Sequence, residues 1–315
     1  MKNYLFILII LICNLPIYAE VVIDGSFGLE TTLSGNNENV EAKHADKIGV
    51  IQTNNSSPIG NAGDITIVTN FLDINPGVIA SITASDGNAG NIIINANNEI
   101  SLNNGGFCSN RICSSISAAT YDDSSGNAGD VILRTNILKS NYGEINTFSR
   151  GTGGAGNANI TANTVFFSNS NLVSENRDAN GGNISMQINQ LLFADDSWMM
   201  SLTEGKHRGG EININKPQFF VLNTSKINAT SNQGADGKII VDSNYFIQSS
   251  DSTLDGEIQI TAGKENFSNS LMILPKTFFD ASDFLLKSCP KSKEFYKNFF
   301  KLQKRKGLSE LFKKL

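Results

Sequence analysis

Polar and apolar residues alternate along most of this chain in short runs that recur at a fixed spacing. In Asp64-Ile65-Thr66-Ile67-Val68 every second residue is aliphatic, the pattern of a strand buried on one face. Phe71-Leu72-Asp73-Ile74 makes a second such run and Val78-Ile79-Ala80-Ser81-Ile82-Thr83 a third, punctuated by Asn75-Pro76-Gly77 and Ser85-Asp86-Gly87-Asn88. The next unit repeats the scheme in residues 91–95, 99–102 and 116–119, and another starts at Asp130. Gly-Asn-Ala-Gly introduces the units at Gly60, Gly87 and Gly126, and degenerate versions follow downstream. The first aliphatic residues after these turns are Ile65, Ile92, Val131, Ile160, Ile184, Ile212, Ile239 and Ile258, with steps of 27, 39, 29, 24, 28, 27 and 19 residues.

A period of this kind means one supersecondary unit stacked on itself, whose core is supplied by its neighbours. An antiparallel sandwich or barrel would need hairpin turns, and a leucine-rich repeat would need Leu-x-x-Leu-x-Leu at tighter spacing. The pattern predicts an all-β parallel β-helix, with rungs about 4.8 Å apart and a rod on the order of 40 Å long. The glycines are expected at corners requiring positive φ, and the neighbouring asparagines are expected to hydrogen-bond along the stack. The implied organisation is a signal peptide in residues 1–19, an N-terminal cap in 20–59, repeats in 60–263 and a C-terminal segment in 264–315.

Charge divides the chain at its end. Residues 20–286 hold 14 Lys/Arg against 28 Asp/Glu, while residues 287–315 hold 10 against 2. An acidic rod lacks the basic stripe that phosphate contact needs, so nucleic acid is not expected as a partner. In the tail, Phe295, Phe299 and Leu302 share one helical face and Leu308, Leu311, Phe312 and Leu315 another, with Gly307 between and lysines around them. Basic amphipathic helices are expected there, either capping the last rung or touching an anionic membrane surface.

Residues 1–19 carry Lys2, an apolar run over 4–15 and Ile17-Tyr18-Ala19, which reads as a Sec-type signal cleaved after Ala19. The chain is therefore expected to be exported. Cys108 and Cys113 lie within the longest unit and are expected to form a disulfide, with free thiols as the alternative; Cys289 stands single.

Units reading Gly-Asn-Ala-Gly-[Asp/Asn]-Ile-x-Ile, then Leu-x-Ile/Leu, then Ile-x-[Ser/Ala]-x-[Ser/Thr], resemble the repeats of filamentous-haemagglutinin-type exoproteins of Gram-negative bacteria. Val21-Val22-Ile23-Asp24-Gly25-Ser26-Phe27-Gly28 is similar to the opening of that family's two-partner-secretion domain, and residues 274–289 to the segment that closes many of its members. The resemblance covers about residues 21–290. It implies a right-handed β-helix, export through a dedicated outer-membrane transporter, and a role in adhesion to host or neighbouring cells or their glycans. The chain departs from the family in its single Asn-Pro, at Asn75-Pro76, and in repeats that begin by Gly60, which leaves a shortened secretion domain.

Candidate chemistry is sparse. β-Helices also include polysaccharide lyases and glycosidases, whose sites need clustered carboxylates with basic partners. Asp122-Asp123 reads as a solvated turn. Asp195-Asp196 stands beside Trp198 and is the better candidate for a surface or carbohydrate contact, while Asp195, Asp196 and His207 are the least poor candidates for catalysis. His44 and His207 lack a metal-binding context, Gly153-Gly154-Ala155-Gly156-Asn157 lacks the Asp of calcium nonapeptides, and no phosphate loop or nucleophile elbow occurs. The expectation is a non-enzymatic adhesive protein without cofactor. The alternatives are a polysaccharide-degrading enzyme and a decayed family member with little activity.

Overall fold

The computed structural model describes residues 8–11, 20–24, 28–34, 39–43, 47–55, 60–84, 86–103, 114–121 and 124–262. The chain divides into the units Met1–Asn266 and Phe267–Leu315, and the expected tail helices, with Cys289, lie outside the described residues. The described residues are all β, without helix, and their strands pair in parallel. Three columns of first, second and third strands wind into a β-solenoid, with seven steps from Ile65 to Ile258.

Inward residues of each column stand directly over one another. The first column runs Ile65, Ile92, Val131, Ala158, Ile184, Ile212, Ile239, Ile258. The second runs Leu72, Ile100, Leu138, Val165, Leu192, Phe220, Phe246, and the last two rings stack at 4.8 Å. The third runs Ile51, Ile79, Ile116, Ile145, Leu172, Met199, Ile227, Leu254. Burying an aliphatic side chain of this size contributes roughly 1.5–3 kcal/mol, so the columns are the main source of stability. At the end of the first column Ile258 and Ile260 are exposed, because no further described turn covers them.

One register residue differs from expectation. Ala158, not Ile160, continues the first column; Ile160 lies two positions on, beside Leu133 and Met186. The steps there are 27 and 26 residues rather than 29 and 24. Ala158 is fully buried but small, and the first large aliphatic residue after the glycines is Ile160, two positions on. The columns also extend N-terminally. Glu20–Asp24 and Asn39–Lys43 continue the first column, and Gly28–Ser34 and Lys47–Asn55 run through to the third. The four described strands within residues 20–59 thus pair in parallel with one another and with the first repeat strand. Of residues 1–19 only Leu8–Leu11 is described, as a strand beside residues 30–33.

The glycine corners work by close approach, not by the expected positive φ. Among the described glycines only Gly256 has positive φ, at 146°. A Cβ on Gly129 would lie 2.0 Å from the Gly90 carbonyl oxygen, and one on Gly156 would lie 1.9 Å from that of Gly129. Stacked turns leave no room there for a side chain. The asparagine ladder does form: Asn88, Asn127 and Gly154 amides donate to the side-chain oxygens of Asn61, Asn88 and Asn127 at 2.8, 2.8 and 2.7 Å. A parallel ladder runs through Asp64, Asn91, Asp130, Asn157 and Asn183.

Of the five described left-handed residues other than glycine, Lys216 (φ 57°) lies between a first and a second strand, and four sit at a different corner, between second and third strands. Tyr142, Asn169, Asp196 and Thr224 have φ of 56, 50, 46 and 47°, and each precedes a buried Gly143, Ser170, Ser197 or Ser225. There the Ser170 amide donates to the Ser197 hydroxyl at 3.1 Å and the Ser197 amide to the Ser225 hydroxyl at 2.9 Å. Each hydroxyl in turn donates to the carbonyl two residues back, Asp195 in the case of Ser197 at 2.8 Å. Ser197→Ala is expected to cost about 1–3 kcal/mol, because it strands the buried Ser170 amide. Urea unfolding of the full chain measures this as a lower midpoint at unchanged slope.

Candidate functional site

Third-strand residues that point outward share one side of the solenoid. In successive turns this face carries Tyr121, then Phe148 and Arg150, then Glu175 and Arg177, then Trp198, Leu202 and Glu204. Pairing puts Phe148 beside Glu175 and Glu175 beside Leu202. The amides of Arg150, Arg177 and Glu204 donate to Thr120, Ser149 and Asn176 carbonyls, so their side chains form the adjoining column at the strand ends.

A cavity of about 300 Å³ opens on this face, with Glu144, Glu175 and Glu204 among its lining residues. A second cavity of about 420 Å³ adjoins it at the next corner, sharing Arg177 and Glu204 and reaching Asp178, Lys206 and His207. Two residues of the first cavity, Asn146 and Glu144, belong to a polar relay that starts at Ser117 in the preceding turn. Ser117 Oγ donates to Asn146 Oδ1 at 2.5 Å, and Asn146 Nδ2 donates to Glu144 Oε1 at 2.8 Å. Asn146 is 6 % exposed, so the relay is sheltered from competing water. The rim is aromatic. Tyr121 meets Phe148 edge to face at 4.9 Å, and the Arg150 guanidinium lies 5.5 and 5.4 Å from the two ring centres.

Burial pushes the Glu175 carboxyl above its ordinary value of 4.5, and repulsion from Glu204 and Glu144 adds to this, against an opposing pull from Arg150. A carboxyl whose pKa is raised on folding costs nothing while it is protonated in both states. The contribution of Glu175 to stability is therefore greatest below pH 4.5 and is lost as pH rises through the raised value. Glu175→Gln is expected to raise the melting temperature at pH 7–8 and to leave it unchanged below about pH 4, a difference that paired thermal melts across that range would show.

The sequence candidates fall on either side of the preceding corner. Asp195 ends a second strand, and its Oδ1 accepts from Asn223 Nδ2 at 2.6 Å. Asp196 is the exposed left-handed residue of the corner itself. Trp198 begins the third strand, 49 % exposed, and of the three it alone lies on the face with the cavities. His207 lines the second cavity. Cys108, Cys113, Asp122, Asp123 and His44 lie outside the described residues.

Glu144, Glu175, Glu204, Arg150 and Arg177 escaped the sequence reading. They are separated by up to 60 residues and meet only through the register of three turns. Their signal was the outward alternation Glu144-x-Asn146-x-Phe148 and Val173-x-Glu175-x-Arg177, legible once the third strands are aligned. Among the described residues there is no group of three or more His, Cys, Asp or Glu able to hold a metal ion, and no helix long and apolar enough to cross a membrane. Comparison with known proteins gives no match to a family model, a curated protein or a solved structure, and the fold itself, a parallel β-solenoid, is what defines the chain.

Proposed function

We propose that this chain is an exported, non-enzymatic β-solenoid of the filamentous-haemagglutinin kind, which attaches to the surfaces of host or neighbouring cells through its third-strand face. The observation that supports this most is the composition of that face: aromatic, aliphatic and charged side chains stand together over four turns of a rigid ladder. Ladder-bound side chains lose little freedom on contact, which favours attachment at modest contact area. Export follows from the leader-like first 19 residues, and an outer-membrane transporter is the partner that the family resemblance implies. Added protease on intact cells should digest the protein, and cells carrying it should adhere to a second cell layer more than cells without it. Protection from the protease, or equal adhesion, overturns the reading.

A second reading, polysaccharide cleavage, draws on one observation. Burial and the nearby Glu204 and Glu144 raise the Glu175 carboxyl pKa, the direction of shift a general acid requires. Release of reducing ends from a polysaccharide, lost in Glu175→Gln, would favour it over the first.

A further inference from the structure

We propose that the groove on the third-strand face binds an uncharged glycan, laid diagonally from Phe148 across Val173, with Glu175 beside it, toward Trp198. This rests on the attachment reading and names the ligand that the attachment face takes.

Charge balance selects the class. The two cavities are lined by Glu144, Glu175, Glu204 and Asp178 together with Arg150, Arg177 and Lys206, leaving an excess of a single negative charge. A uronate or sulfated polymer would bring its charges against a row of carboxylates, and a polycation would meet two guanidinium groups. Either would leave a like-charge contact uncompensated. Vicinal hydroxyls suit the same set. Each hydroxyl both donates and accepts, so a hydroxyl pair meets the two acceptor oxygens of a carboxylate or the planar donor fork of a guanidinium. The relay from Ser117 through Asn146 holds the Glu144 carboxylate in one orientation before any ligand arrives.

Geometry selects the shape. Phe148 and Trp198 lie two turns and four strand residues apart, a diagonal of roughly 16 Å at about 4.8 Å per turn and 3.3 Å per residue. Both rings supply apolar surface for the C–H faces of sugar rings; the line between them crosses Val173, with Glu175 to one side and Glu144 to the other. An extended peptide fits less well. Peptides gain affinity by adding a strand to an open edge, and the strands of this face are paired on both sides within the ladder.

The test is retention of the full chain on immobilised neutral polysaccharides (laminarin, mannan, galactan) against polygalacturonate and heparin, with cell attachment measured on the same preparation. Retention on at least one neutral polymer, insensitive to 0.5 M salt and weakened about tenfold or more by both Trp198→Ala and Glu175→Gln, is the expected result. The two variants guard each other: Trp198 is half exposed and Glu175→Gln keeps shape, so both should give the far-UV spectrum of the parent. Retention on the acidic polymers alone, on none of the panel, or undiminished in both variants overturns the proposal. If cell attachment persists in those cases, the glycan assignment fails while the attachment reading stands; if attachment is also absent, both fail.

Discussion

Gly129→Ala should abolish cooperative folding or lower stability by more than about 3 kcal/mol, whereas Gly154→Ala, in the next corner, should be neutral or stabilise by up to about 1 kcal/mol. The two substitutions add the same methyl group in the same kind of turn. On Gly129 it would lie 2.0 Å from the Gly90 carbonyl oxygen and 2.5 Å from its carbon, both backbone atoms of the adjacent rung. Relief requires the rungs to part, which breaks the ladder bonds on each side: Ala89 to Asn127 at 2.9 Å and Ile92 to Asp130 at 2.8 Å. On Gly154 the nearest atom is Asn127 Oδ1 at 3.4 Å, an ordinary contact, and the residue has no left-handed backbone to strain. Chemical denaturation of the two variants would separate a steric corner from a conformational one. If corner glycines served φ alone, both substitutions would have similar effects.

This distinction marks where sequence reading succeeds on a solenoid. Strand identity and stacking were legible, because inward Ile, Leu and Val recur with the length of a turn and burial on one face leaves no other arrangement. Seven of the eight residues assigned to the first column stand in it, and Ile160 failed because Ala158 is small enough to look like part of the corner. The reason for each glycine was not legible. Gly-Asn-Ala-Gly is equally consistent with positive φ and with close approach, and the carbonyl that decides between them belongs to a rung 26 to 39 residues away. The left-handed corner was hidden for the opposite reason. Tyr142, Asn169, Asp196 and Thr224 share no residue type, and the common element is the small buried residue that follows each of them.

The candidate site was less legible still. Asp195-Asp196 drew notice as adjacent carboxylates, yet neighbouring residues at a corner diverge, and the structure uses Asp195 to accept from Asn223 and Asp196 to turn the chain. Carboxylates converge in a solenoid when they share a column or lie two residues apart, on the same face, in adjacent turns. Glu175 and Glu204 meet in that way, 29 residues apart in the chain. Aligning third strands by their inward Ser174 and Ser201 would have shown the pair from the sequence alone.

Removing residues 158–183, one whole turn, should leave a folded and shorter solenoid, while removing residues 158–170 should unfold the chain. The first deletion joins Asn157 to Ile184, recreating the Asn-Ile junction already present at Asn183-Ile184. Ile184 then takes the place of Ala158 against Val131, Leu192 that of Val165 against Leu138, and Met199 that of Leu172 against Ile145. Stability in a stacked repeat is close to a sum of nearest-neighbour terms, so losing one turn lowers the unfolding midpoint without destroying cooperativity. The shorter deletion instead feeds a third strand into the path of a first. It puts Asn171 after Asn157 and leaves each later inward residue without its partner below. Far-UV circular dichroism and limited proteolysis would distinguish the two products. The whole-turn deletion also excises Glu175 and Arg177, so a folded product that no longer adheres to neutral polysaccharide would assign binding to the groove and not to the polar side of the rod at large.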